Sequence, residues 1–162
     1  MADIKEYLRE SNAIEGVHDD EAVNTAYTAW KELKTVNELT EEAIKSAHGT
    51  LLGQRQPDIA GHYREKHVRV GGDVPPSPDE VPELMGELLT RVPETPLEAI
   101  DWHVRFEKIH PFTDGNGRIG RLIYLWHCHQ LLCQDPIIWR ADDRRGYYAL
   151  FDSEEYLPRL ID

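Results

Sequence analysis

The sequence predicts an all-α domain that carries one short β-hairpin. Apolar residues recur at intervals of three and four in most segments, which is the spacing of a single helical face. Residues 54–76 depart from this spacing, because polar and apolar residues alternate there before a Gly-Gly pair. The 162 residues suffice for one core of ordinary size. We therefore expect residues 1–162 to form a single domain of about six to eight helices.

The composition limits the kinds of partner that the protein can bind and indicates the compartment in which it is found. A formal charge of −12 argues against a general nucleic-acid surface, because binding to phosphate backbones needs clustered Lys and Arg. Cys128 and Cys133 are five residues apart in an apolar helix, so we expect buried free thiols in a reducing compartment. The first residues do not resemble a signal peptide, and no apolar run reaches the length of a membrane span. These features predict a cytoplasmic protein with no membrane contact.

The first helix is predicted to start near Ile4 and to end at Gly16. Ser11 and Glu15 are four residues apart and therefore lie on one face of this helix. Gly16 is a typical residue for a helix C-terminus. Judged from these residues alone, Glu15 is a solvated carboxylate at a helix end.

Capping residues mark the starts of the next helices. They are Asp19 or Asp20, Thr40 and Ser77. A further helix, Leu97–Ile109, follows two prolines. The helix from Arg118 to Cys133 is apolar on every side, so we expect it to be the central helix of the domain.

Residues 61–75 contain the strand-like pattern of the chain. Val68 and Val70 alternate with polar residues before the Gly-Gly pair, which predicts a short hairpin. A surface loop is the alternative interpretation.

The segment before the central helix concentrates the polar groups that a phosphate site needs. Gly115, Asn116 and Gly117 are residue types that tolerate positive φ and let a bound group approach the backbone. Successive N–H groups in such a turn, followed by a helix N-terminus, form an anion-binding nest. Arg118 and Arg121 are three residues apart and therefore point to the same side of the helix.

Two further side chains in this segment suit group-transfer chemistry. His110 is a proton acceptor at neutral pH. Asp114 offers a carboxylate suited to holding Mg²⁺ against phosphate oxygens. Together with the nest and the two arginines, they predict a nucleotidyl-transfer or phosphoryl-transfer site.

The pattern His-Pro-Phe-x-Asp-Gly-Asn-Gly-Arg-x-x-Arg at residues 110–121 resembles the complete signature of Fic domains. That family typically transfers AMP from ATP to a protein hydroxyl, and the resemblance implies the Fic fold over nearly the whole chain. It also implies ATP as co-substrate, Mg²⁺ as cofactor and a Ser, Thr or Tyr hydroxyl of a target protein as acceptor. ATP and a protein substrate are thus the expected partners. The chain itself is one candidate substrate, and a homo-oligomer is an open alternative to a monomer.

The resemblance also gives each residue of the signature an expected role. His110 takes the proton from the attacking hydroxyl, and Asp114 holds Mg²⁺. Arg118 neutralises phosphate charge, and Arg121 grips the γ-phosphate. The donors to the phosphate oxygens are Gly115, Asn116 and Gly117.

The helix end near residues 8–17 resembles an inhibitory motif of the same family, Ser-x-x-x-Glu-Gly. Its fixed positions here are Ser11, Glu15 and Gly16. In the family the glutamate pairs with the second arginine of the signature and blocks productive seating of the γ-phosphate. The resemblance therefore implies a contact between Glu15 and Arg121.

Two other regions take expected roles from the resemblance. Residues 61–75 correspond to a flap over the active site, in which Val68 and Val70 dock the target peptide by strand addition. The region around Tyr147 and Tyr148 borders the adenine pocket, and Tyr148 is the expected contact to the base.

Two other functions stay open on the sequence. The first is the transfer of another group, such as UMP, phosphocholine or phosphate, or the removal of AMP. Variants that transfer phosphate lack the Gly-Asn-Gly-Arg form, so Gly117 argues against them. The second is a nucleotide-gated binding module in which Glu15 keeps catalysis permanently off.

Overall fold

The computed structural model describes residues 2–152 and confirms the all-α architecture. This part of the chain contains seven α-helices. Their bounds are α1 Ile4–Ile14, α2 Asp20–Leu33, α3 Glu41–Leu52, α4 Val81–Leu89, α5 Pro96–Ile109, α6 Asn116–Trp126 and α7 Arg144–Tyr148. Among the described residues no helix is both long and apolar enough to cross a bilayer. The cytoplasmic location stays a prediction.

Two helix starts coincide with capping residues named from the sequence. The Asp19 carboxylate accepts a hydrogen bond from the Ala22 N–H at 2.9 Å, so Asp19 rather than Asp20 caps α2. The Thr40 hydroxyl accepts from the Ala43 N–H at 3.1 Å and caps α3. Each cap satisfies a backbone donor that the first helical turn leaves without a partner.

The central position expected for the last long helix is confirmed for α6. Ile123, Tyr124 and Leu125 are successive residues and therefore point to different sides of α6, and none is more than 2% exposed. The helix packs against α1, α3 and α5. Because its sides are buried, α6 gives its own N-terminus a rigid support.

The end of this helix differs from the expectation. After Trp126 the backbone widens into a π-helical segment, His127–Leu132, and it ends at Cys133 with a left-handed φ of 52°. This turn leaves Cys133 exposed, whereas Cys128 is buried. The prediction of two buried thiols is therefore wrong for Cys133.

The predicted hairpin at residues 61–75 is reduced to one antiparallel bridge between Val70 and Asp73. Both backbone hydrogen bonds of this bridge measure 3.0 Å. The next hydrogen-bonded pair outward would join Val68 to Pro75, and proline has no N–H to donate. The ladder therefore stops after one pair, and residues 2–152 contain no β-strand. We keep the name flap for residues 61–75.

Candidate active site

The loop that carries the signature is held in shape by its own asparagine. His110 ends α5 in the left-handed conformation, with φ 52°, and Gly115 precedes α6 with φ 82°. The Asn116 side chain accepts from the Phe112 N–H at 2.9 Å and donates to the Phe112 carbonyl at 2.8 Å. Both polar atoms of this amide are thus engaged. Asn116 can therefore offer a bound anion its backbone N–H rather than its side chain.

His48 of α3 braces the same loop from outside the signature. Its ring stacks on Phe112, with centroids 3.8 Å apart. Its Nδ1 accepts from the Gly61 N–H at 2.9 Å, so Nε2 carries the proton and donates to the Asp114 carbonyl at 2.9 Å. Burial lowers the pKa of His48, in keeping with a neutral ring. No local pattern in the sequence points to this role of His48, because its partners Gly61 and Asp114 lie 13 and 66 positions away.

His110 is arranged as a proton acceptor. Its Nδ1 is buried and has no hydrogen-bond partner within residues 2–152. Burial lowers the pKa of His110, and the positive charge of Arg64 lowers it further. The imidazole is therefore neutral at physiological pH, which is the state that a general base requires.

Asp114 presents a carboxylate at the mouth of the loop, and its side chain is 51% exposed. Gln56 donates to Oδ2 at 2.9 Å, and the Gly115 N–H donates to Oδ1 at 2.8 Å. Burial by itself would raise the pKa of Asp114, but these donors and the charge of Arg118 outweigh it and leave the pKa lowered. The group is therefore an ionised acceptor at neutral pH.

The described residues fit a magnesium ion that is held mainly by its nucleotide. They contain no cluster of three or more His, Cys, Asp or Glu side chains that could enclose a metal. Mg²⁺ in nucleotide sites is typically bound by one or two carboxylates together with phosphates and waters. The ionised, half-exposed carboxylate of Asp114 matches that donor set.

Arg118 is a largely buried guanidinium with few protein partners. Its side chain is 13% exposed, and its nearest carboxylate oxygen, on Asp114, lies 3.6 Å away. Its Nε is buried without a hydrogen-bond partner in the described part of the chain. Burial lowers the pKa of Arg118. Such a group gains strongly from an anion that approaches it.

Arg121, in contrast, is fully engaged and 1% exposed. It donates to the Ser11 hydroxyl at 2.8 Å and to the Ser11 carbonyl at 2.9 Å. A third bond runs to the Glu15 carboxylate at 2.8 Å, which is the contact that the sequence resemblance implied. Burial opposes the charged form, but Tyr147 and Glu15 leave the pKa of Arg121 raised.

The local sequence explains how Glu15 reaches this place. The Gly16 N–H donates to the Ala13 carbonyl and the Val17 N–H to the Asn12 carbonyl, both at 3.0 Å. This is the Schellman arrangement, which needs a left-handed residue after the helix, and Gly16 has φ 74°. Glu15 is consequently fixed as the C-cap residue of α1.

Tyr147, rather than Tyr148, contacts the signature. Its hydroxyl accepts from Arg121 Nη1 at 2.9 Å and lies 2.7 Å from His103 Nε2. Burial lowers the pKa of His103 to about 3, so this ring is neutral and its Nε2 can accept a hydrogen bond from the Tyr147 hydroxyl. Tyr148 is 44% exposed. Its contact with the adenine base stays a prediction.

The flap lies over the end of α5. Lys108 of α5 pairs with Asp73 in the flap turn at 3.5 Å. Val70 is 41% exposed, and Val68 is half-buried. Their docking role stays a prediction.

Comparisons with known proteins show the family to which the chain is related. A model of the Fic/DOC family matches residues 38–128. The chain is 36% identical to protein adenylyltransferase Fic from Nematostella vectensis, over 92% of this chain and 35% of that protein. A Fic domain containing signaling protein from Bacteroides thetaiotaomicron has a similar structure, with a TM-score of 0.77 and 24% identity over 91% of this chain and 70% of that one. Fic-1 from C. elegans gives a TM-score of 0.75 and 23% identity over 97% of this chain and 58% of that one.

These comparisons differ in what they establish. The chain spans about a third of the length of its curated relative, and the two structures are similar in fold at low identity. The family model covers more than half of the chain, including the whole signature loop. The chain therefore belongs to the Fic/DOC family.

Proposed function

We propose that the protein is an autoinhibited adenylyltransferase that transfers AMP from ATP to a Ser, Thr or Tyr hydroxyl of a target protein. The observation that carries the proposal is the 2.8 Å ion pair between Glu15 and Arg121 inside an intact Fic signature. The name of the Nematostella vectensis relative supports adenylyl transfer as the activity. Transfer of another nucleotide and a catalytically silent binding module are the outcomes against which the proposal is tested.

In the proposed reaction a target hydroxyl attacks the α-phosphorus of ATP in line with the leaving group. A bond forms between the hydroxyl oxygen and the α-phosphorus, and the bond from that phosphorus to the β-phosphate oxygen breaks, so that pyrophosphate leaves. His110 accepts the hydroxyl proton, and its burial and neutral state suit this role.

The remaining groups of the site position the nucleotide. The backbone N–H groups at the start of α6 face its phosphate oxygens, and Arg118 supplies an under-paired positive charge. Arg121 binds the γ-phosphate once Glu15 has left it. Asp114 would hold Mg²⁺, which when bound neutralises phosphate charge. This division of labour is what phosphoryl chemistry requires, namely positioning and electrostatic stabilisation.

The inhibition follows from competition for one guanidinium. Arg121 cannot hold both the Glu15 carboxylate and a γ-phosphate oxygen at 2.8 Å with the same N–H group. ATP must therefore displace Glu15 or bind in a shifted position. A displacement of about 1 Å at the reacting atom can cost on the order of 10²-fold in rate.

Labelling with ATP carrying radioactive α-phosphate tests the proposal. We expect Glu15→Gly to raise self-labelling or target labelling by roughly 5–150-fold over wild type, the usual range of coupling between two sites. Adding Arg121→Ala should cancel the gain, and adding His110→Ala should lower transfer by about 10²–10⁴-fold. Glu38→Gly, at an exposed position between α2 and α3, is the matched control.

Several outcomes would contradict the proposal. Equal labelling of wild type and Glu15→Gly would remove the inhibitory role of Glu15. Preferred labelling by GTP, UTP or CTP in parallel reactions would assign a different nucleotide. Nucleotide binding without labelling of any protein by either variant would favour the silent binding module.

A further inference from the structure

Arg64 lies outside the signature and donates four side-chain hydrogen bonds. It sits in the flap and is only 3% exposed. Its guanidinium donates to four backbone carbonyls. They belong to His110 at 2.7 Å, Lys66 at 3.0 Å, Pro76 at 2.5 Å and Ile109 at 3.3 Å. The carbonyls of Ile109 and His110 lie at the C-terminal end of α5. Those of Lys66 and Pro76 lie before and after the flap turn.

The backbone of Arg64 adds a fifth link. Its N–H donates to the Pro111 carbonyl at 2.9 Å. Arg64 thus contacts three successive residues, Ile109–Pro111, and bonds to Lys66 in the flap and to Pro76 directly after it. Since the flap lacks a strand ladder of its own beyond the Val70–Asp73 bridge, Arg64 supplies the cross-links that a longer hairpin would have provided.

These contacts fall where the loop needs support. His110 adopts a left-handed backbone with φ 52° and ψ 61°, a conformation that is unfavourable for a residue other than glycine and that persists only when its surroundings enforce it. The last carbonyls of a helix also have no partner within the helix. A cation at this end is favoured by the helix dipole. Arg64 satisfies these requirements with one side chain.

The charge of Arg64 is not neutralised by its neighbours. Its four acceptors are neutral carbonyls, and within residues 2–152 no carboxylate forms an ion pair with it. The charged groups that act on His110 are Arg64 on one side and Asp114 and Glu15 on the other. Arg64 is thus the cation that favours a neutral imidazole.

We propose that Arg64 is a positioning residue for the transfer reaction. Arg64 joins the flap and the signature loop into one unit, and it so fixes the flap residues expected to dock the target, Val68 and Val70, relative to His110. The proposal rests on the proposed function, because it assumes that the flap presents a hydroxyl and that His110 accepts its proton. Arg64 touches neither the nucleotide nor the reacting atoms and acts through the backbone of the loop. Its charge adds to the effect of burial in lowering the pKa of His110. Its hydrogen bonds keep the flap ordered, and these two effects can be separated.

Three variants separate them. Arg64→Met keeps the approximate length and removes both the charge and the donors. Arg64→Lys keeps the charge and loses the planar fork that reaches several carbonyls at once. Arg69→Met, at an exposed position of the same flap, is the matched control.

Two NMR measurements on the full chain report the two effects without relying on catalysis. Backbone ¹⁵N order parameters at residues 65–76 should fall from about 0.85 to below about 0.6 in Arg64→Met and Arg64→Lys, the change from rigid to flexible backbone. Titration of the ¹⁵N-labelled His110 ring should give a raised pKa in Arg64→Met, because the neighbouring cation is gone. The pKa in Arg64→Lys should stay close to the wild-type value, and Arg69→Met should change neither measurement.

The results decide the proposal whether or not the transfer activity is confirmed. A folded Arg64→Met protein with wild-type order parameters and a wild-type His110 titration would overturn it. If Arg64→Met does not fold, as judged by circular dichroism, Arg64→Lys decides, and an unchanged flap in that variant would overturn the proposal. In a Glu15→Gly background that labels, we expect Arg64→Lys to reduce labelling about tenfold or more while circular dichroism still shows a folded protein.

Discussion

Replacing Glu107 by glutamine tests whether the buried Glu107 carboxyl group, near Arg121, is protonated in the folded protein. Glu107 lies on α5 and faces Gly120 of α6, since a Cβ at Gly120 would be 2.9 Å from Glu107 Oε1 and 3.0 Å from His103 Nδ1. Glu107 Oε1 is buried and has no hydrogen-bond partner among residues 2–152. Burial raises the pKa of Glu107 to about 7, although Arg121 opposes the shift. The carboxyl group therefore keeps its proton at mildly acidic pH.

The direction of this shift fixes the sign of the pH dependence. The ordinary pKa of a glutamate, 4.5, applies to the unfolded chain, so between 4.5 and about 7 the folded state holds a proton that the unfolded state has lost. The stability that Glu107 contributes relative to glutamine is thus fully present below pH 4.5 and is lost as the pH rises through about 7. Because one pKa unit corresponds to about 1.4 kcal/mol, the total loss in unfolding free energy is about 3 kcal/mol.

Urea unfolding followed by tryptophan fluorescence measures this free energy for wild type and Glu107→Gln between pH about 4.5 and about 8. We expect the variant to gain stability relative to wild type as the pH rises, and the gain to level off above neutrality. Glu83→Gln, at an exposed position of α4, is the matched control and should run parallel to wild type. Parallel curves for wild type and Glu107→Gln would refute the reasoning, because they would mean that Arg121 keeps the Glu107 carboxylate ionised throughout.

The protonation of Glu107 bears on the proposed inhibition. While Glu107 is neutral, Glu15 is the carboxylate that pairs with Arg121. Once Glu107 ionises, a second negative charge lies near Arg121 and disfavours a bound γ-phosphate. The ATP affinity of Glu15→Gly should therefore weaken above neutral pH, and adding Glu107→Gln should remove that dependence.

Two further predictions concern the signature loop. Asn116→Ala removes both hydrogen bonds to the buried backbone of Phe112, so we expect a loss of about 2–4 kcal/mol in unfolding free energy, measured by urea unfolding, and an unchanged stability would mean that water replaces the amide. Asp114→Ala should weaken the binding of Mg²⁺ with ATP and shift the Mg²⁺ dependence of labelling to higher concentration. Magnesium titration curves identical to those of wild type would reduce Asp114 to a turn-forming residue.

The parts of the fold that the sequence predicted correctly depend on neighbours along the chain. A cap such as Asp19 or Thr40 bonds to an N–H three residues later, so the residue and its partner appear in one short window. The signature is also contiguous, and its nest depends on backbone conformation at successive residues. The order of the helices and the position of the loop could therefore be inferred without the structure.

The residues that support the loop could not be found in this way. Arg64 reaches the carbonyl of His110 across 46 positions, and His48 reaches that of Asp114 across 66. Neither residue belongs to a local pattern that distinguishes it from an ordinary surface residue. Tyr147 differs from its neighbour Tyr148 only in which side of a short helix faces Arg121, and that is decided by packing.

The hairpin, however, could have been predicted more accurately from the sequence. Once Gly71 and Gly72 are taken as the turn, the register pairs Val70 with Asp73 and then Val68 with Pro75. A proline at a hydrogen-bonded position of the ladder ends it. The alternation of apolar residues therefore indicated which side chains share a face, and the proline determined how many backbone pairs could form.

The position of Gly117 explains why Glu15 and a phosphate would exclude each other. A Cβ at Gly117 would overlap the Glu15 carboxylate and lie 2.9 Å from Arg121 Nη1. The absence of a side chain there is what lets an anion approach the backbone of the nest, and Glu15 occupies the same space. A carboxylate at the C-terminus of α1 is disfavoured by the helix dipole, so the contact with Arg121 has to stabilise Glu15 in place. In the proposed function, a γ-phosphate that bound Arg121 would remove that stabilisation, so Glu15 and the γ-phosphate would be alternative partners of Arg121.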